Sequence, residues 1–248
     1  MISSAAKQQL IKMKLSEITE ILEQQDGILE FTGMSFDDRI ELLINSLYGI
    51  KHEKTIQGLR RRAKLKMPDA CINDIVWEGR NLNKSKIIEL STGNFIRTQS
   101  NVICMGPTGA GKTYMACALA NDAAINLGYV TKYVRMPDLL TELHLPECNM
   151  RKIRKKYASP EVLILDEWLT SEDIANEDIS FLLDLMEDRS DSKSTIFCTL
   201  YPCSQWNDKL KKRVIGQSVI DRIIHSSVMV DCGTKNMRAE KRKSRINN

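Results

Sequence analysis

Gly106-Pro107-Thr108-Gly109-Ala110-Gly111-Lys112-Thr113 decides how the rest of this chain is read. An apolar run of strand length, Val102-Ile103-Cys104-Met105, precedes it. Met115, Ala116, Leu119, Ala120, Ala123 and Leu127 follow at helical spacing. A strand, a glycine-rich loop and a helix, in that order, form the context in which this spacing cradles phosphates. Gly106 and Gly111 allow the backbone to curl without a Cβ clash, so successive N–H groups converge, and the positive end of the helix adds to the attraction. Lys112 would carry its charge to the β- and γ-phosphates, and the Thr113 hydroxyl suits Mg²⁺. Gly106 to Tyr114 is therefore the candidate binding segment for a nucleoside triphosphate, with ATP and Mg²⁺ as expected cofactors.

The second half of such a site is Val162-Leu163-Ile164-Leu165-Asp166-Glu167-Trp168, an apolar strand ending in two carboxylates. At a strand tip beside the cradle, Asp166 can hold Mg²⁺ directly or through water. Glu167 is placed to polarise a water attacking the γ-phosphate. A phosphotransferase for a small molecule must exclude water; a base for water therefore favours hydrolysis.

Composition narrows the class. At 248 residues with 27% charged and 42% hydrophobic side chains, the chain suits one α/β core with a smaller appended domain. It holds no apolar run of membrane-spanning length, and its first residues lack the apolar core of a secretory signal. The seven cysteines show no C-x-x-C pairing, which points to reduced thiols and a cytoplasmic protein. Net charge is only +4. Its cations are clustered, however: Arg60, Arg61, Arg62, Lys64 and Lys66; Arg151 to Lys156; Lys209 to Arg213; and Arg238 to Arg245. Such clusters are the footprint of phosphate-backbone binding, although each alone could be a solvated face. Aromatic residues amount to 6% and rarely neighbour these clusters, so duplex DNA fits better than stacked single strands.

Periodicity divides the chain into a helical region over 1–68, a connector over 69–100, an α/β core over 101–233 and a basic tail over 234–248. Ile11, Leu15, Ile18 and Leu22 predict a first helix that Gly27 breaks. Ser35 to Asp38 is a capping signature for a second, which Gly49 should end. A third should run to Pro68. Strands are expected at 102–105, 129–135, 162–166, 194–199 and 228–231, alternating with helices near 112–127, 137–144, 150–157, 178–188 and 217–226. That alternation predicts a parallel sheet flanked by helices. The tail is expected to be loosely ordered.

The segments GPTGAGKTYMACALA (106–120), RMPDLL (135–140), LILDEW (163–168), DLMEDR (184–189), STIFCTLYPCSQW (194–206) and DRIIHSSV (221–228), in this order, resemble the IstB-like ATPases. These are helper proteins of bacterial insertion sequences, within the AAA+ superfamily and related to DnaC-type helicase loaders. Phosphate loops alone identify no family; the later segments are more specific. The resemblance implies a five-stranded AAA+ core lacking a full C-terminal lid, with Asp166 as magnesium residue and Glu167 as catalytic carboxylate. It implies that Ser194 to Thr199 is the sensor strand between those motifs. Thr199 is then the candidate polar tip, although Leu200 stands where relatives are expected to carry Gln or Asn. It also makes Arg222 an arginine finger that reaches a neighbouring subunit's nucleotide, a role suited to a bidentate, always charged guanidinium. Arg238 could approach nucleotide in cis. A ring or spiral of subunits on duplex DNA, assisting a transposase, is the expected activity. A replicative helicase loader, or an architectural DNA-binding protein switched by nucleotide with little hydrolysis, are the alternatives.

Overall fold

A computed structural model describes residues 3–28, 31, 33–171, 174–210 and 214–240. Two compact units are present, residues 1–58 and 59–248, so the first unit ends before residue 68. In the first, α1 (Ser4–Lys12), α2 (Ser16–Gly27) and most of α3 (Phe36–Ala63) pack together. The single helix expected through Ile11 and Leu22 is two. Lys14 adopts φ 58°, and Leu15 N–H bonds to Leu10 O while Lys14 N–H bonds to Ile11 O. This left-handed closure ends α1 without glycine. The break expected at Gly49 does not occur, and α3 runs through both Gly49 and Gly58. A helical glycine costs only about 1 kcal/mol against alanine, and flanking turns outweigh it. The Ser35 hydroxyl accepts from Asp38 N–H as the capping signature predicts. Lys54 donates to Glu17 at 2.6 Å, which chiefly holds that carboxyl down to about 2.

In the second unit α4 (Lys84–Ser91) and α5 (Asn94–Arg97) precede β1 (Asn101–Met105) and α6 (Lys112–Ile125). Then follow β2 (Thr131–Arg135), α7 (Met136–Leu143), α8 (Met150–Ala158), β3 (Val162–Trp168) and α9 (Asn176–Arg189). The unit continues with β4 (Ser194–Thr199), α10 (Trp206–Lys209), α11 (Val214–Ile224) and β5 (Ser227–Asp231). All pairings are parallel, in the order β2-β3-β4-β1-β5. The central strands β1, β3 and β4 carry apolar runs because both their faces are covered, whereas the edge strands β2 and β5 are only partly buried. Ile103, Leu163, Leu165 and Phe197 pack on one side with Leu139, Leu182 and Val219 from α7, α9 and α11. Val102, Cys104, Ile164, Ile196 and Cys198 pack on the other against α6, whose small residues Ala116, Ala118 and Ala120 are fully buried. No helix among the described residues is long and apolar enough to cross a membrane. Lys211, Lys212, Arg213 and the tail from Lys241 lie outside the described residues.

This topology positions the site. β4 lies between β1 and β3, so the loop after β1 and the carboxylates at the end of β3 sit on the same edge of the sheet, one strand apart. Ligands of such sheets bind in the crevice at the carboxyl ends of the strands.

Candidate nucleotide site

Gly111, with φ 91°, caps α6 and turns the loop into the helix. Gly109 has φ 87°, and a Cβ there would lie 2.4 Å from Asn236 Oδ1. Both positions therefore demand glycine, which has no Cβ penalty in this region. Lys112 folds back over the loop, donating to Gly106 O at 2.6 Å and to Pro107 O at 2.9 Å. Burial pushes its ammonium below the ordinary lysine range.

Asp166 is almost completely buried. The Thr113 hydroxyl donates to its Oδ2 at 2.9 Å and the Tyr133 hydroxyl to the same oxygen at 2.7 Å. Burial, then the Asp166 charge, pushes the Tyr133 phenol far above its usual range, so it stays a donor. A threonine hydroxyl and a carboxylate converging at this distance form an oxygen donor set that suits a hard divalent cation. The residues present fit Mg²⁺, with Thr113 and Asp166 as the groups that would hold it. Tyr133 escaped the sequence analysis; its one signal is a tyrosine inside a strand that neighbours the carboxylate strand. Tyr133→Phe should lower Mg²⁺ affinity about tenfold, as loss of a partner that orients a metal ligand does. Titrating Mg²⁺ at fixed ATP and following nucleotide binding measures it.

Glu167 owes its direction to an irregularity. Leu165 pairs with Phe197 and Trp168 with Thr199, so β3 carries one residue more than β4 between these pairs. Glu167 has φ 56° and Leu169 φ 58°. A bulge of this kind re-aims a side chain, and left-handed backbone at residues other than glycine clusters at functional sites. The bulge is fastened from the core. Trp168 packs edge-on against Phe197 at 4.9 Å and against Trp206 at 5.8 Å between ring centroids. The Trp206 indole N–H bonds to Tyr201 O at 3.2 Å. The tryptophans of LILDEW and of the QW segment thus meet in one aromatic cluster. The Glu167 carboxylate, about one-third exposed, lies 3.5 Å from Arg135 Nη1 and 3.7 Å from Lys66 Nζ.

A cleft of about 1030 Å³ joins these groups. Thr108, Gly109, Gly111 to Tyr114, Asp166, Glu167 and Thr170 line it, with Ile75 and Val76 from the connector and Met237 and Arg238 from the tail. The tail up to Glu240, expected to be loose, is held on the loop. Met237 N–H bonds to Gly109 O at 2.8 Å, and Asn236 Oδ1 accepts from Arg238 N–H at 3.1 Å. Arg80, also unforeseen, bridges the loop and the residue after β5, with Nη2 donating to Ala110 O at 2.7 Å and Cys232 O at 3.0 Å.

Other expected site residues fall elsewhere. Thr199 is fully buried, and its hydroxyl accepts from Tyr201 N–H at 3.0 Å; its neighbours Cys198 and Leu200 line the cleft instead. Arg222 lies on α11 with Nη2 3.6 Å from Glu187 of α9. Within the first basic cluster, Arg60 donates to Pro68 O at 2.9 Å and Asp69 at 3.0 Å. Lys66 faces the carboxylates, and Arg61, Arg62 and Lys64 are exposed.

The sequence model of the family described as IstB-like ATP binding protein matches residues 8–245. An ATP-binding protein of insertion sequence IS1162 from Pseudomonas fluorescens is 35% identical over 79% of this chain and 85% of its own. Among solved structures, DnaI is 18% identical, covers 72% of this chain and 93% of its own, and superposes with a TM-score of 0.57. The DnaC helicase loader is 23% identical over 60% of this chain and 86% of its own, with a TM-score of 0.51. At such identities these structures establish the fold, the AAA+ phosphate-loop core. Sequence and fold together place the chain in the IstB-like ATP-binding family, whose relatives accompany insertion sequences.

Proposed function

We propose that the protein is a Mg²⁺-dependent ATPase that assembles on duplex DNA and assists the transposase of an insertion sequence in a bacterial cytoplasm. One observation carries the hydrolytic part. The bulge sets Glu167 on the rim of the cleft that holds the phosphate loop, one residue from the Asp166–Thr113 pair. Lys112 and the loop N–H groups would bind the phosphates, and Ile75, Val76 and Met237 offer apolar surface for a base. Glu167 would orient the attacking water and take its proton. Mg²⁺ at Thr113 and Asp166 would supply charge neutralisation on the phosphate oxygens. Arg222 is assigned to the neighbouring subunit's nucleotide, which requires it to leave Glu187. An exposed pair of that kind is worth about 0–1 kcal/mol, so subunit contact can break it.

DNA binding is assigned to the exposed cations at the end of α3. Arg61→Ala with Arg62→Ala should weaken binding to any duplex sequence alike. It should also flatten the slope of log affinity against log salt by about 0.9 for each phosphate no longer neutralised. An unchanged slope would move this cluster to a protein interface. Phosphate release measured with and without duplex DNA, alongside sedimentation with a non-hydrolysable ATP analogue, tests the whole proposal. Turnover and large nucleotide-dependent complexes are expected; a chain that remains a monomer in every mixture overturns it.

A second function is favoured by one observation. Leu200 lines the cleft while the Thr199 hydroxyl is engaged by Tyr201. An ATP-ordered architectural protein would need no polar sensor. It would form the same complexes and release no phosphate with or without DNA.

A further inference from the structure

Lys66 belongs by sequence to the basic segment assigned to DNA and by position to the catalytic carboxylates. Helix α3 ends on Arg60, Arg61 and Arg62, and Lys64 closes it with φ 51°. The next residues run between two anchors. Ala63 is fully buried on one side, and on the other the Asn121 amide donates to Pro68 O at 2.8 Å and Ala70 O at 2.9 Å. Between them the Lys66 ammonium sits 3.7 Å from Glu167 Oε1 and 4.0 Å from Asp166 Oδ2. Arg135 touches the same Glu167 oxygen but is fixed by bonds to Asp138 at 2.7 and 2.8 Å. Of the two cations, Lys66 is therefore the movable one. Its side chain is 39% exposed, so an anion arriving from solvent can reach it, while Asp166 stays covered.

We propose that Lys66 is a positioning residue that couples DNA binding to hydrolysis, holding Glu167 until duplex phosphates draw its ammonium away. This rests on the assignments of Glu167 to water and of the α3 end to DNA. A carboxylate oxygen engaged by an ammonium is a poorer partner for water than a released one. Lys66 lies two residues beyond Lys64, within about 7 Å of extended chain, so phosphates bound at Lys64 are near enough to compete. Duplex DNA presents a continuous array of phosphates, one charge per about 1.7 Å of axis, that competes with the two carboxylates for the ammonium. Because an exposed ion pair is weak, the restraint amounts to a few-fold change in rate and remains reversible.

The test uses the full chain with Lys66→Ala and Lys66→Arg. Phosphate release is measured with and without a linear duplex. The salt dependence of duplex binding is measured separately by anisotropy, with a non-hydrolysable ATP analogue. Lys66→Ala should raise turnover without DNA roughly two- to fivefold and bring the ratio of rates with and without DNA close to one. It should also reduce the salt slope by about 0.9. Lys66→Arg, which keeps the charge, should restore both the ratio and the slope. A Lys66→Ala protein that is slower without DNA, or keeps the unmodified ratio, or keeps the unmodified slope, overturns the inference and leaves the ATPase assignment standing. Absence of phosphate release from the unmodified protein overturns the ATPase assignment and the coupling with it.

Discussion

On the proposed assignment, Glu167→Gln should lower ATP turnover by about two to four orders of magnitude, the usual contribution of a positioned acid–base group, while nucleotide remains bound. The amide is isosteric, so the bulge between Leu165 and Trp168 and the bond from the Thr170 hydroxyl to Glu167 O at 2.8 Å have no reason to change. The side chain loses its basicity and its charge, and with the charge the ion pairs to Arg135 and Lys66. The groups assigned to phosphate and Mg²⁺, Lys112, Thr113 and Asp166, are untouched, so ATP affinity should stay within about twofold. Complexes with duplex DNA should then persist for longer, since hydrolysis is what would dissolve them. Single-turnover phosphate release and the lifetime of DNA complexes after dilution both report on this. Turnover within threefold of the unmodified protein, or faster disassembly, removes Glu167 from the role.

The parts of this site legible in the sequence are those fixed by short-range rules. Gly111 and Lys112 announce a strand–loop–helix junction because the spacing of glycines and the flanking periodicities are local. Asp166 was legible for the same reason, as the first polar residue after a buried run. The strands also lie close to their expected bounds, most closely the central ones, which are covered on both faces and show apolar runs. What depends on register was not legible. Tyr133 reaches Asp166 because β2 pairs with β3, with Arg135 directly opposite Asp166. No property of either strand alone states that pairing. The bulge at Glu167 likewise exists only relative to β4. Arg80 and Met237 are separated from the phosphate loop by long stretches of chain and carry no pattern that points to it. The place of Lys66 beside Asp166 and Glu167 was not legible either. A run of cations reads as one surface, yet Lys64 in a left-handed conformation ends the helix, and the chain beyond it takes a new direction. Gly49 shows the opposite, since a glycine's modest helical penalty does not end a helix that neighbouring residues sustain.

Arg189→Met should destabilise the second unit by about 3–5 kcal/mol, because it leaves several buried acceptors without their donor. Arg189 is 2% exposed, yet among the described residues no carboxylate bonds it. Its donors are instead shared among Tyr157 O at 3.0 Å, Ala158 O at 3.2 Å, Pro160 O at 2.8 Å, Thr195 Oγ1 at 2.9 Å and Ser194 O. Burial pushes the guanidinium down to about 9, partly opposed by Glu161, so it remains charged at neutral pH. A planar fork of five donors matches such a set of carbonyls, which a single ammonium cannot do. Methionine fills similar volume but leaves those acceptors dry, and each unsatisfied buried group costs about 1–3 kcal/mol. With roughly 2–4 °C for each kcal/mol in a unit of this size, the melting midpoint should fall by about 6–20 °C. Arg154 provides the contrast, because its bonds to Asp184 at 2.8 Å and Asp188 lie on the surface. Arg154→Ala should therefore change stability by under about 1 kcal/mol. Calorimetry of the two variants side by side separates burial from charge pairing. A melting point for Arg189→Met within about 2 °C of the unmodified protein would show that water or backbone shifts can satisfy those carbonyls. The loss should also be felt at the site, because Pro160 and Ser194 lead into β3 and β4. Those strands carry, at their far ends, the bulge that aims Glu167, and a variant that folds should lose turnover before it loses nucleotide binding.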